Sequence, residues 1–101
     1  MNIVNSKNSV PIRLTEERWF HITEEHNELA GYYFEVLETI SDAEDIYLGK
    51  EGECVAIKFL EQAQKHLVVI YKEIDKEDGF VITAFFTKRI EKIRRRTKLW
   101  P

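Results

Sequence analysis

The chain has 101 residues, 33% of them charged, a net charge of −3 and a single cysteine, Cys54. That length suits one hydrophobic core rather than two. One cysteine excludes an intrachain disulfide framework and a cysteine-built metal cluster, and it fits a reducing, cytoplasmic setting. The segment after Met1 lacks the apolar run of a signal peptide, and every apolar stretch is far below the about 18 residues of a membrane span, so a soluble protein without membrane contact is expected.

Charge is unevenly distributed. Residues 1–50 carry four basic and ten acidic side chains, whereas residues 51–101 carry eleven basic and eight acidic ones. Between Lys88 and Lys98, seven basic residues face Glu91 alone. A concentrated positive end can recruit polyanions even on a mildly acidic protein, although a solvated helix end has the same composition.

Residues 1–11 show little periodicity and are expected to form a flexible or extended lead into a single domain over 12–100. Thr15 is the expected N-cap of a first helix, with Glu16 and Glu17 in its first turn and Leu14 placed to staple against Trp19. Trp19, Ile22 and His26 share one helical face, while His21 and Glu25 look outward on a neighbouring one. His26-Asn27-Glu28 breaks the rhythm. A second helix is predicted from about Glu28 to Ile40, on Leu29, Tyr33, Val36, Leu37 and Ile40.

The period then changes. Strands are predicted at Asp45–Leu48, Glu53–Leu60, His66–Ile74 and Phe80–Thr87, joined by connections too short for parallel crossovers. Gly79 is suited to a positive φ in the hairpin 75–79. Alternation puts Val81, Thr83, Phe85 and Thr87 on one face of the last strand and Phe80, Ile82, Ala84 and Phe86 on the other. Neither face is wholly polar. The expected fold is therefore α+β: two N-terminal helices packed on a curled, mainly antiparallel four-stranded sheet. A basic C-terminal tail follows, a short amphipathic helix docked by Ile90, Ile93 and Trp100.

No phosphate-binding glycine loop, paired-cysteine zinc site or calcium loop is present in the sequence. His21 and His26 bracket Thr23-Glu24-Glu25 in a pattern superficially like a metalloprotease helix. Five residues of helix separate them by about 140°, so they do not share a face, and no metal or other cofactor is expected. Histidine is still the side chain best suited to proton transfer near neutrality, although each of these two can equally be structural. Lys58 interrupts the apolar run Val55–Phe59; it either snorkels or contacts phosphate. Thr83 and Thr87 share a strand face, which their β propensity alone explains, but lysines and hydroxyls on one face could also hold a phosphodiester.

Several segments together carry a resemblance: Leu14–Ile22, His26-Asn27-Glu28-Leu29, Asp45-Ile46-Tyr47, Leu67–Lys72, Phe80–Thr87 and Lys88-Arg89-Ile90. In order and separation they resemble the phage-type branch of the barnase–EndoU–colicin–RelE-like (BECR) nucleases, over about Ile12 to Trp100. This chain has Asn27 where that family often has proline. The resemblance implies a barnase/RelE-like fold and RNA as substrate, including tRNA or ribosome-associated RNA. It also implies a toxin-like role, with a cognate antitoxin or immunity protein as partner. The expected activity is metal-independent endoribonuclease cleavage through the 2′-hydroxyl, leaving a 2′,3′-cyclic phosphate. His21, His26, Lys58, Thr83 and Thr87 are the candidate catalytic residues. Lys72, Lys88, Arg89, Arg94, Arg95 and Arg96 are the candidate nucleic-acid contacts. A non-catalytic RNA-binding domain and a phage-associated structural or interaction module remain alternatives.

Overall fold

A computed structural model describes residues 2–101. Thr15 caps the first helix as its sequence dictates: its Oγ1 accepts from the Arg18 amide at 3.0 Å, and α1 runs Glu16–Glu25. His26 closes it, its own amide donating to the Ile22 carbonyl. One 3-10 turn at Asn27–Leu29 follows, and α2 begins only at Tyr33, ending at Ser41. Gly31, between them at φ +90, takes a backbone conformation that side chains with a Cβ resist. Among the described residues, no helix is long and apolar enough to cross a membrane.

The sheet departs from the four-stranded, curled, mainly antiparallel expectation. It is an open, mixed sheet of seven strands in the order β1-β2-β6-β5-β4-β3-β7. The expected four are present as β3 (Asp45–Leu48), β4 (Cys54–Leu60), β5 (Lys65–Asp75) and β6 (Asp78–Thr87), all antiparallel neighbours. Three short strands extend them: β1 (Asn2–Asn5) and β2 (Pro11–Leu14) on one side, β7 (Lys98–Trp100) on the other. The β2–β6 pairing is parallel, joining segments more than sixty residues apart that no local pattern links. The expected helical tail contracts to one turn, α3 (Glu91–Arg94), before the chain joins the sheet edge as β7.

The N-terminal lead is held in place. The Ser6 hydroxyl is buried and donates to the Glu73 carboxylate at 2.6 Å, and Val10, Ile12 and Leu14 all enter the core.

The two sheet faces have different cover. The helical face carries Cys54, Ala56, Leu67, Val69, Tyr71, Val81 and Ala84, sealed by Ile22, Leu29, Val36 and Ile40. The opposite, open face carries Tyr47, Val55, Ile57 and Val68, over which the tail lays Ile90 and Ile93. A bulge in β6 sets this division. Thr83 pairs with Ile70 and Val81 with Tyr71, leaving Ile82 without a partner on β5. Strict alternation therefore fails at Ile82, and Val81 joins Ala84 on the buried side.

Gly79 is needed for space rather than for a positive φ. A Cβ there would meet the Ile12 side chain and the Lys72 carbonyl, each at 2.5 Å, where β2 docks on β6. Gly79→Ala is expected to lower unfolding free energy by about 1–3 kcal/mol, read as a drop in urea midpoint at unchanged m-value. A midpoint equal to wild type would show that β2 can move away without cost.

Candidate nucleic-acid groove

The open face is covered only in part. Over the far half of β6, where β2 no longer pairs, α1 lies beside the strand, and α3 crosses the β3–β4 side. Between them runs a groove made of two adjoining hollows that share Phe85.

The first hollow, about 520 Å³, is lined by Arg18, Ile22, Glu25, His26, Ile82, Thr83 and Phe85. Arg18, Ile22 and His26 are spaced by four residues, so α1 presents them along one stripe. The His26 imidazole is half-buried against Phe85, ring centres 5.9 Å apart, which fixes its position on the sheet. A cavity that combines one cation, one carboxylate, one imidazole and one hydroxyl over an aromatic floor can hold a phosphodiester and move protons around it. Beyond Arg18, Arg13 pairs with Asp78 and lies over the Phe80 ring, lining a neighbouring hollow.

The second hollow, about 330 Å³, lies between the β3–β4 turn and α3. Its polar edge includes Glu53 and Arg96. The Glu51 amide donates to Glu53 Oε1 at 2.7 Å. That bond, then the bond from its own amide, holds the Glu53 carboxyl below the usual carboxylate range, with Lys72 and Arg96 adding to the effect. Glu53 is thus a fixed anion that shapes the turn rather than a proton carrier.

The candidate residues do not all converge. His26 and Thr83 meet in the first hollow. His21 lies on the outward side of α1, half-exposed, its Nδ1 3.5 Å from Glu24. Lys58 points to the helical face, where its ammonium donates to Asp42 at 2.9 Å and to Glu38 at 3.4 Å. Thr87 caps the turn into the tail: its Oγ1 accepts from the Arg89 amide at 3.0 Å, and it does not line the first hollow. Lys72 reaches the Glu51 carbonyl at 3.2 Å, beside the second hollow. In the tail, Lys88, Arg89 and Arg95 are exposed and Arg96 lines the groove. Arg94 is committed elsewhere. With Lys98 it faces Asp45, at 3.9 and 3.5 Å, and the Tyr47 hydroxyl completes this latch at 3.1 Å.

Arg18, Glu25, Glu53 and Phe85 escape a reading that looks for unusual residues. The four-residue spacing of Arg18 from Ile22 was the one available signal. Cys54 and Tyr71 lie on the helical face, and burial raises both their pKa values, so neither ionises readily. Comparisons of the chain with protein-family models, with curated proteins and with solved structures return no match.

The Lys58 pair has a testable pH signature. The Lys58 hydrogen bond and charge lower the Asp42 pKa, and Asp42 in turn raises that of Lys58. A lowered carboxyl contributes stability above its unfolded value, lost as pH falls through the folded one. A raised amine contributes stability below its unfolded value, lost as pH rises through the folded one. The stability gap between wild type and Lys58→Met should therefore be widest near neutrality. It should close below about pH 4 and above about pH 10 in urea titrations. A gap independent of pH would mean that Lys58 acts through packing alone.

Proposed function

We propose that the groove binds single-stranded RNA and that its first hollow cleaves it by metal-independent transesterification. The observation that carries this reading is the meeting of Arg18, Glu25, His26 and Thr83 around one cavity on a sheet face flanked by cations. The resemblance of the sequence to phage-type BECR nucleases points the same way. In the proposed reaction the Glu25 carboxylate takes the 2′-hydroxyl proton. The 2′-oxygen attacks phosphorus, and the imidazolium of His26 gives its proton to the departing 5′-oxygen. The products are a 2′,3′-cyclic phosphate and a free 5′-hydroxyl, and DNA, lacking the nucleophile, is not a substrate. Arg18 stabilises the charge that builds on the phosphoryl oxygens, and the Thr83 hydroxyl orients them.

His21 and Lys58 are left out of this set because one faces solvent and the other is engaged on the opposite sheet face. Lys72, Lys88, Arg89, Arg95 and Arg96 supply sequence-independent attraction for the backbone.

Purified protein in excess chelator is expected to cut single-stranded RNA, but not matched DNA, and to leave cyclic phosphate ends. His26→Ala and Glu25→Gln should each slow cleavage by about 10²–10⁴-fold, while His21→Ala and Lys58→Met stay near wild type. Equal rates in wild type and His26→Ala would overturn the assignment of the acid.

Phosphate contacts from the tail have a separate readout. Reversing Arg89, Arg95 and Arg96 to glutamate should weaken binding and flatten the plot of log affinity against log salt, by about 0.7 for each lost contact with a single strand. An unchanged slope would assign the tail to solubility alone.

A further inference from the structure

The second hollow has a different chemical character from the first. Its floor is apolar: Val55, Ile70 and Phe85 from the sheet, with Ile93 of α3 as a wall. Only its rim is polar, and it mixes two carboxylates, Glu51 and Glu53, with two cations, Lys50 and Arg96. Among the described residues, Arg96 has no ion-pair partner, and Glu53 is fixed by the turn amide rather than by a cation.

We propose that this hollow is a nucleobase subsite, taking the base of a nucleotide next to the phosphate held in the first hollow. The assignment rests on the RNA reading above and adds which part of the RNA enters where. A base has a flat, apolar π-face and a polar edge, and the hollow offers an apolar floor and a polar rim. Other ligand classes fit less well. A free anion would meet Glu51 and Glu53, and a lipid tail would leave the rim charges without a partner. Phe85 is the link between the hollows. One side of its ring carries His26 and the rest reaches the second floor, so a base resting here hands its backbone directly to the Arg18–His26 cavity. The volume of about 330 Å³ is large enough for a base with its sugar. The Glu53 carboxylate keeps lone pairs free beyond its turn bonds and can accept from a donor on the base edge. The Arg96 guanidinium can lie over the base or meet the adjoining phosphate.

The test separates base binding from backbone binding and from chemistry. A fluorescent 2′-O-methyl octanucleotide, which lacks the nucleophile, is titrated against the full chain by anisotropy. In a companion series, one abasic residue occupies each position in turn. The backbone charge is the same throughout. One abasic position is expected to weaken binding about tenfold, the others far less. Ile70→Trp, a half-exposed position whose enlargement fills the hollow, should remove that positional penalty while keeping the affinity and salt slope of the abasic series. Ile93→Ser, which opens the wall without filling it, should reduce the penalty at the same position, so that a folding defect in one variant does not decide the matter. A uniform effect of abasic residues, or a positional penalty unchanged in both variants, would overturn the nucleobase subsite and leave the RNA reading standing. No binding of the intact oligonucleotide at low salt would overturn both.

Discussion

The structure depends on a central strand that is apolar on both sides. In β5, Leu67, Val69 and Tyr71 face one way and Val68 and Ile70 the other, and it pairs with β4 and β6 along most of its length. Such a strand demands two covers. Fully burying one aliphatic side chain is worth about 1.5–3 kcal/mol, so either face left bare would be costly in a chain of this size. The helices satisfy the first demand. The second is met only in part, because about ten residues of tail cannot span the whole face. The groove is what remains uncovered.

This explains why the tail is built as it is. Ile90 is buried in the second core cluster and Ile93 packs against it, so a single helical turn spends its apolar residues downward and leaves its cations outward. The half-buried Asp45 carboxylate then holds Arg94 and Lys98, and β7 pairs with β3. An apolar plug, a carboxylate latch and a strand edge together position Arg96 at the groove. Basic composition alone did not separate Arg94, which is structural, from Arg96, which is available.

What the sequence revealed follows from the range of the interactions involved. The Thr15 cap, the break at His26 and the four strands between Asp45 and Thr87 depend on neighbours a few residues away, and their patterns are local. The β2–β6 pairing depends on Gly79 leaving room for Ile12, a contact across most of the chain. Its only local trace was the alternation of Val10, Ile12 and Leu14. The β6 bulge is invisible for another reason: an extra residue in a strand leaves composition unchanged and displaces every face assignment before it. Lys58 shows a third limit. An ion in an apolar run signals a special environment without saying whether its partner is a ligand or, as here, two carboxylates, Glu38 on the facing helix and Asp42 just past its end.

The same division of faces accounts for the charge asymmetry. From Glu16 to Ser41 the helical segment carries seven glutamates and one basic residue, Arg18. Arg18 turns into the groove together with Ile22, Glu25 and His26 of that segment. The helical layer is therefore mostly acidic, while Arg18, Lys72 and Arg96 lie on the groove side. A net charge of −3 is thus compatible with binding an anion. On the proposed RNA reading, a polyanion is steered toward the side where the imidazole, the carboxylate and the aromatic floor meet before any specific contact forms.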